Sequence, residues 1–110
     1  MLINQGVSLV ATSYVEIGDD CAIGNFVTIL DTDYHRTEPS VPVRTEPVII
    51  GANVWLGESC KVLPGSKIGD HSVVAAGSIV RGDIPPRVLV AGSPAKVIKT
   101  LDIPDGWRRG

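Results

Sequence analysis

Two histidines, two cysteines and twelve acidic side chains are the raw material for chemistry in this 110-residue chain. His35 closes the run Asp31-Thr32-Asp33-Tyr34-His35 in a polar stretch. An imidazole, with an ordinary pKa of about 6.5, suits a general base near neutral pH. Read alone, His35 is more readily a surface loop histidine than a base. Asp31 and Asp33 stand close enough in sequence to orient an imidazole, or simply to cap a turn. His71, between Asp70 and Ser72, falls at a repeat surface position and is expected to be exposed and non-catalytic. The histidines and Cys21 and Cys60 share no zinc-ligand spacing, so no metal is expected. Two cysteines are too few to staple a domain and are expected to stay reduced. No Ser or Cys has a nucleophile-elbow context. Trp55 stands out in a chain with only 5% aromatic residues.

The elements that position these residues follow a period of six. Ile17, Ile23 and Ile29 keep one phase, and Ile50, Leu56, Val62, Ile68, Val74 and Val80 keep another. The next residue is often glycine (Gly18, Gly24, Gly51, Gly57, Gly69). The fourth residue on is small or short-branched: Cys21, Val27, Val54, Cys60, Ser66, Ser72 and Ser78. A helix repeats its apolar residues three and four apart, and an isolated amphipathic strand alternates. Period six fits neither. It predicts an all-β parallel β-helix with three short faces per turn, the aliphatic inward, the small residue near a corner, and glycine permitting the corner geometry. Trp55 follows the corner residue Val54 and is predicted to point outward, as an interface or ligand wall.

The interruptions are as informative as the repeat. Ile3, Leu9 and Val15 are six apart, but Ile17 restarts the phase, which predicts a corner with a two-residue insertion over Thr12 to Glu16. Between Ile29 and Ile50, residues 31–47 contain Pro39, Pro42 and Pro47 and are predicted to form an external loop. After Val80 the pattern is expected to stop, with Asp83-Ile84-Pro85-Pro86 as a turn, Val88 to Val90 as a last strand, Ala91-Gly92-Ser93-Pro94 as a second turn, and Lys96 to Leu101 returning along the coil. The expected division is a β-helix domain over 1–101 and a loose tail over 102–110.

A formal net charge of -2 implies no strongly basic face, so nucleic acid is not an expected partner. No run of eighteen apolar residues predicts a membrane span. The start Met1-Leu2-Ile3-Asn4 lacks signal-peptide features, and the default location is the cytoplasm.

The in-phase hexads, the Asp31 to His35 run, Asn53-Val54-Trp55-Leu56-Gly57, Ala76-Gly77-Ser78, Asp83-Ile84-Pro85 and Ala91-Gly92-Ser93-Pro94-Ala95-Lys96 occur in order. This combination resembles the hexapeptide-repeat acyltransferases, near the galactoside and maltose O-acetyltransferases and relatives in polysaccharide gene clusters. It extends from Asn4 to about Lys99. The resemblance implies left-handed coiling, a homotrimer with active sites between subunits, and acetyl-CoA as co-substrate. Family members carry additional sequence before the part matching Leu2, so the first coil is expected to be exposed here.

The resemblance also implies roles for particular residues. His35 is the catalytic base, and Asn4 lies beside it and contacts ligand. Trp55 flanks the pantetheine arm, with a purely structural trimer contact as the alternative. Ala76 and Gly77 line the CoA groove. Arg81 supplies a charge that Gly82 lacks at the neighbouring position. Ala95, Lys96 and Lys99 meet the adenine and phosphates, for which cationic side chains are suited. Thr12 replaces an acidic acceptor-contacting residue, which argues against a galactoside-type acceptor. The leading expectation is O-acetylation of a sugar hydroxyl. The alternatives are N-acetylation of an amino or nucleotide sugar, serine as acceptor, a catalytically inactive fragment, or a binding β-helix. Carbonic-anhydrase-like chemistry needs a third histidine, and an ice-binding solenoid needs outward Thr or Ser rows. Both are absent from the sequence.

Overall fold

The computed structural model describes residues 1–109. Gly110, the last residue of the expected tail, lies outside the described residues. Fourteen strands follow one another: β1 (Leu2–Ile3), β2 (Ser8–Val10), β3 (Val15–Ile17), β4 (Ala22–Ile23), β5 (Thr28–Leu30), β6 (Val48–Ile50), β7 (Trp55–Leu56), β8 (Lys61–Val62), β9 (Lys67–Ile68), β10 (Val73–Val74), β11 (Ile79–Val80), β12 (Asp83–Ile84), β13 (Val88–Gly92) and β14 (Ala95–Thr100). Each strand up to β10 pairs in parallel with the third strand after it. The chain thereby visits three sheets in turn: β1-β4-β7-β10-β13-β14, β2-β5-β8-β11 and β3-β6-β9-β12. This is the strand order of a hexapeptide-repeat β-helix, in a body 48 × 26 × 21 Å across.

The hexad aliphatics make the core. Ile23, Ile29, Ile50, Leu56, Val62, Ile68, Val74 and Val80 are all buried, and each stacks on its counterpart one coil away, as Ile23 on Leu56 and Ile50 on Ile68. The small fourth residue is buried too, and where it is serine its hydroxyl is bonded: Ser66 donates to the Leu63 carbonyl at 2.7 Å and Ser72 to that of Pro85 at 2.6 Å. Cys21 and Cys60 occupy the same slot as free, buried thiols. Burial pushes Cys60 up to about 11, outweighing the Lys61 charge.

The glycine of each hexad has a different purpose from the one its position suggests. A Cβ on Gly57 would lie 2.6 Å from the Ala76 nitrogen, so glycine is needed where successive coils approach most closely. The left-handed backbone falls two residues later, on Asp20, Phe26, Asn53, Ser59, His71 and Gly77. Most of these carry side chains despite the cost of positive φ.

Two further expectations need correction. The pattern does not stop at Val80. Asp83–Ile84 is strand β12 rather than a turn, and the buried Ile84 pairs in register with Ile68. Gly82, at φ 90°, tightens the corner so that Ile84 follows Val80 at a step of four positions instead of six. The hexad then resumes to Val90, in a last parallel strand that extends to Gly92. β14 returns antiparallel to β13 and ends the six-stranded sheet.

The tail is also not loose. Leu101 N–H donates to the Arg87 carbonyl at 2.8 Å, and Arg87 reaches Ile103 O and Asp105. Asn53 Nδ2 donates to Trp107 O at 3.1 Å, Arg109 donates to the His71 carbonyl at 2.9 Å, and Arg108 pairs with Asp20 at 3.2 Å. The segment therefore runs up one corner of the fold past Arg87, His71, Asn53 and Asp20, the left-handed residues of four successive coils. It also covers His71, which is buried rather than exposed.

At the other end, β1, β2 and β3 are each the outermost strand of their sheet. Leu2, Ile3 and Leu9 are exposed there.

Candidate active site

His35 stands just beyond the neck of the loop between β5 and β6. The neck is closed by three links. Glu46 N–H donates to the Asp31 carbonyl at 3.0 Å, Thr32 and Thr45 form an antiparallel bridge with their hydroxyls 3.0 Å apart, and Asp33 N–H donates to the Arg44 carbonyl at 2.9 Å. The next residues are held from below. Tyr34 N–H donates to Thr32 Oγ1 at 3.1 Å, and His35 N–H to the Asp33 carbonyl at 2.7 Å. Tyr34 takes a φ of 65°, which turns the chain outward, and the His35 side chain is exposed. The imidazole is thus presented to solvent from a fixed stretch of backbone.

Asp31 has no free oxygen with which to orient that imidazole. Its Oδ1 accepts the Thr12 N–H at 2.9 Å and the Thr12 hydroxyl at 3.0 Å, and its Oδ2 accepts the Ser13 and Tyr14 N–H groups at 2.6 and 2.8 Å. Burial opposes ionisation, but these donors outweigh it and hold the carboxyl below the usual aspartate range. Of the two readings open to Asp31, the capping one is correct: it caps the corner with the two-residue insertion.

Asn4 follows β1 and is exposed, and its N–H donates to the Ile23 carbonyl at 3.0 Å. Trp55, on β7, is 48% exposed and points outward as predicted. Its sheet row runs Leu2, Ala22, Trp55, Val73, Leu89, Lys99, so Trp55 and Lys99 share one face. Lys96 and Lys99 project from β14 with exposed side chains, whereas Ala95 packs against the core. Ala76 and Gly77 form the exposed turn after β10, where Gly77 N–H donates to the Glu58 carbonyl at 2.8 Å.

Arg81 sits at the end of the β11 face, on the side from which the His35 loop leaves two coils earlier. It lines a groove of about 310 Å³ with Leu63, Ile79, Ser93 and Pro94. Nothing in the hexad pattern singled out Leu63, Ile79 or Pro94, because the groove arises only when the β13–β14 turn meets that face.

Within one chain the nominated residues do not converge on a single cleft. Asn4, Trp55 and Lys99 belong to the six-stranded sheet, Ala76 and Gly77 to the corner after it, and Arg81 and His35 to the far side of the next face. Among the described residues no hydrogen bond joins Asn4 to His35, and no group of three or more His, Cys, Asp or Glu side chains is placed to hold a metal.

The description "bacterial transferase hexapeptide (six repeats)" matches residues 47–82. Galactoside O-acetyltransferase of Escherichia coli (strain K12) is 39% identical over 102 residues, which is 90% of this chain and 50% of that protein. A putative lipopolysaccharide biosynthesis O-acetyl transferase of the same organism is 38% identical over 109 residues, 88% of this chain and 56% of the relative. The chain thus spans about half the length of the curated relatives it matches.

Among solved structures, a galactoside acetyltransferase in complex with coenzyme A matches with TM-score 0.81 and 39% identity, over 87% of this chain and 50% of that one. A hexapeptide-repeat acetyltransferase from Vibrio cholerae complexed with acetyl coenzyme A matches with TM-score 0.81 and 33% identity, over 92% and 57%. A polySia-specific acetyltransferase matches with TM-score 0.82 and 32% identity, over 96% and 52%. With the repeat, the three-sheet topology and these similarities in agreement, the chain belongs to the hexapeptide-repeat acyltransferase family, related to the galactoside and maltose O-acetyltransferases and the polysaccharide acetyltransferases.

Proposed function

We propose that this protein transfers an acetyl group from acetyl-CoA to a hydroxyl of a sugar or saccharide. The observation that carries this reading is the similarity, over most of the chain, to a galactoside acetyltransferase solved with coenzyme A. In the proposed reaction the His35 imidazole takes the proton of the acceptor hydroxyl. The oxygen attacks the thioester carbonyl, the C–S bond breaks, and the proton passes to the departing thiolate. Donors such as the Asn4 amide stabilise the developing oxyanion. No covalent acyl-enzyme and no metal take part.

The remaining nominated residues hold the donor in this reading. Trp55 forms an apolar wall beside the pantetheine arm, and the exposed Ala76-Gly77 turn leaves room for its amides. Arg81, Lys96 and Lys99 face the phosphates, with Ala95 beside the adenine. Because these groups occupy separate faces of one chain, we assign the complete site to the boundary between subunits of a homotrimer. Left-handed coiling and a cytoplasmic location belong to the same proposal.

The test is release of free CoA from acetyl-CoA with a panel of neutral sugars, amino sugars and serine, comparing the parent with His35→Ala. A hydroxyl-dependent release that falls by about 10²–10⁴-fold in the variant is expected. Release supported only by amino sugars reassigns the protein to N-acetylation. No release with any acceptor removes the enzymatic reading, and release indifferent to the substitution removes His35 as base.

A further inference from the structure

We propose that Asp31 is a positioning residue for His35, bracing the neck of the His35 loop against the corner of the preceding coil. The proposal rests on the catalytic reading of His35 and adds a residue that touches neither substrate.

The argument begins with what one residue links. The Asp31 backbone belongs to the neck: its carbonyl accepts the Glu46 N–H at 3.0 Å, and its own N–H donates to the Val10 carbonyl at 3.3 Å. Its side chain belongs to the neighbouring coil, accepting three backbone N–H groups and one hydroxyl from Thr12, Ser13 and Tyr14. The corner at 12–14 is irregular, carrying two residues more than the hexad allows, so its amides lack the ladder partners a regular corner has. The loop is an insertion as well. Two insertions one coil apart are fastened by one fully buried carboxylate.

From Asp31 the constraint passes to His35 through three residues. The Thr32–Thr45 bridge and hydroxyl bond, Asp33 N–H on Arg44 O, Tyr34 N–H on Thr32 Oγ1 and His35 N–H on Asp33 O give every residue from brace to base a hydrogen bond. A carboxylate accepting four donors resists rotation, because any turn of the side chain breaks several charge-assisted bonds at once. The neck then has a fixed origin, which an exposed loop of this length otherwise lacks.

Asp31→Asn keeps the shape and removes the ability to accept on both oxygens. Two measurements on the full chain decide the matter. In amide hydrogen exchange, Asp31→Asn is expected to speed exchange at Ser13 and Tyr14 and, in parallel, at Asp33, His35 and Glu46, by about tenfold or more, with Val62 and Val80 unchanged. Faster exchange confined to Ser13 and Tyr14 overturns the proposal. Thr12→Val, which removes only the hydroxyl donor, is expected to change the same set by a smaller factor. It serves if Asp31→Asn does not fold, and an unchanged loop in that variant also overturns the brace.

In turnover, Asp31→Asn is expected to lower kcat by about 10–10²-fold, the scale of a misplaced catalytic group, with KM for acetyl-CoA within twofold of the parent. In a His35→Ala background the same substitution is expected to cost nothing further. Equal losses in both backgrounds overturn the proposal. Turnover untouched by His35→Ala removes the catalytic reading itself, and the exchange data then still decide whether Asp31 holds the loop.

Discussion

Asn53 Nδ2 lies 2.9 Å from Nδ1 of His71, and both side chains are buried beneath the C-terminal segment. An amide nitrogen only donates, so Nδ1 must accept, and the imidazole must be neutral with its proton on Nε2. Burial lowers the His71 pKa, the Arg87, Arg108 and Arg109 charges lower it further, and Asp70 opposes them. The folded state thus takes up a proton less readily than the unfolded chain. Stability is full above about pH 6.5 and falls as the pH drops from there through the lowered folded value. Urea midpoints at pH 7.5 and 5.5 are expected to show this loss, and a variant cut after Leu101 is expected to lose much of the difference.

Asn53→Asp is expected to reverse the slope. A carboxylate at that position accepts from a protonated His71, so the folded pKa rises above the unfolded value. The stabilisation it brings is then present below about pH 6.5 and disappears as pH rises through the folded pKa. Parallel urea titrations of parent and variant across pH 5 to 8 check the crossing.

Asp31 governs the acid limb in a different range. Its depressed carboxyl contributes stability that is present above the ordinary aspartate pKa of about 3.9 and is lost as pH falls through the folded value. Asp31→Asn is expected to lower stability at neutral pH and to flatten the acid limb of a thermal-melt profile.

Trp55→Ala separates a ligand wall from a core residue. With the ring half exposed, stability is expected to stay within about 0.5 kcal/mol. KM for acetyl-CoA is expected to rise about tenfold, equivalent to ~1.4 kcal/mol of lost contact. A kcat change at constant KM contradicts the assignment of Trp55 to the donor side.

Neighbouring residues fail for opposite reasons. Leu56→Ala leaves a void in the core and is expected to cost about 2–5 kcal/mol. Gly57→Ala drives a methyl against the Ala76 backbone and is expected to cost about 1–3 kcal/mol through overpacking. Chemical denaturation of both variants checks the pair.

Much of the fold was legible because the hexad is a direct imprint of stacking: Ile50, Leu56, Val62 and Ile68 must meet their counterparts one coil away. The outward Trp55 and the 31–47 loop followed from the same phase. What misled was local reading. Pro85 and Pro86 suggested that the pattern had ended, yet Ile84 keeps its place because Gly82 shortens the corner. Glycine's freedom of φ seemed to explain Gly57, whereas close approach does. His71 was misjudged because its cover comes from Trp107 to Arg109, far along the chain, and no periodicity carries that information. The role of Asp31 was within reach only as one of two alternatives, since the two-residue slip marked a corner in need of support without naming what supports it.

A stack of coils in which each touches only its neighbours tends to melt from its ends, one rung at a time. The C-terminal segment departs from that arrangement. By bonding to Arg87, His71, Asn53 and Asp20 in succession, it ties the coil of Arg87 to that of Asp20, which is not its neighbour in the stack. Opening any one of those four corners strains the same peeled segment. Fraying at the last coil is thereby coupled to the corner three coils away, a link that stacking of nearest neighbours does not provide.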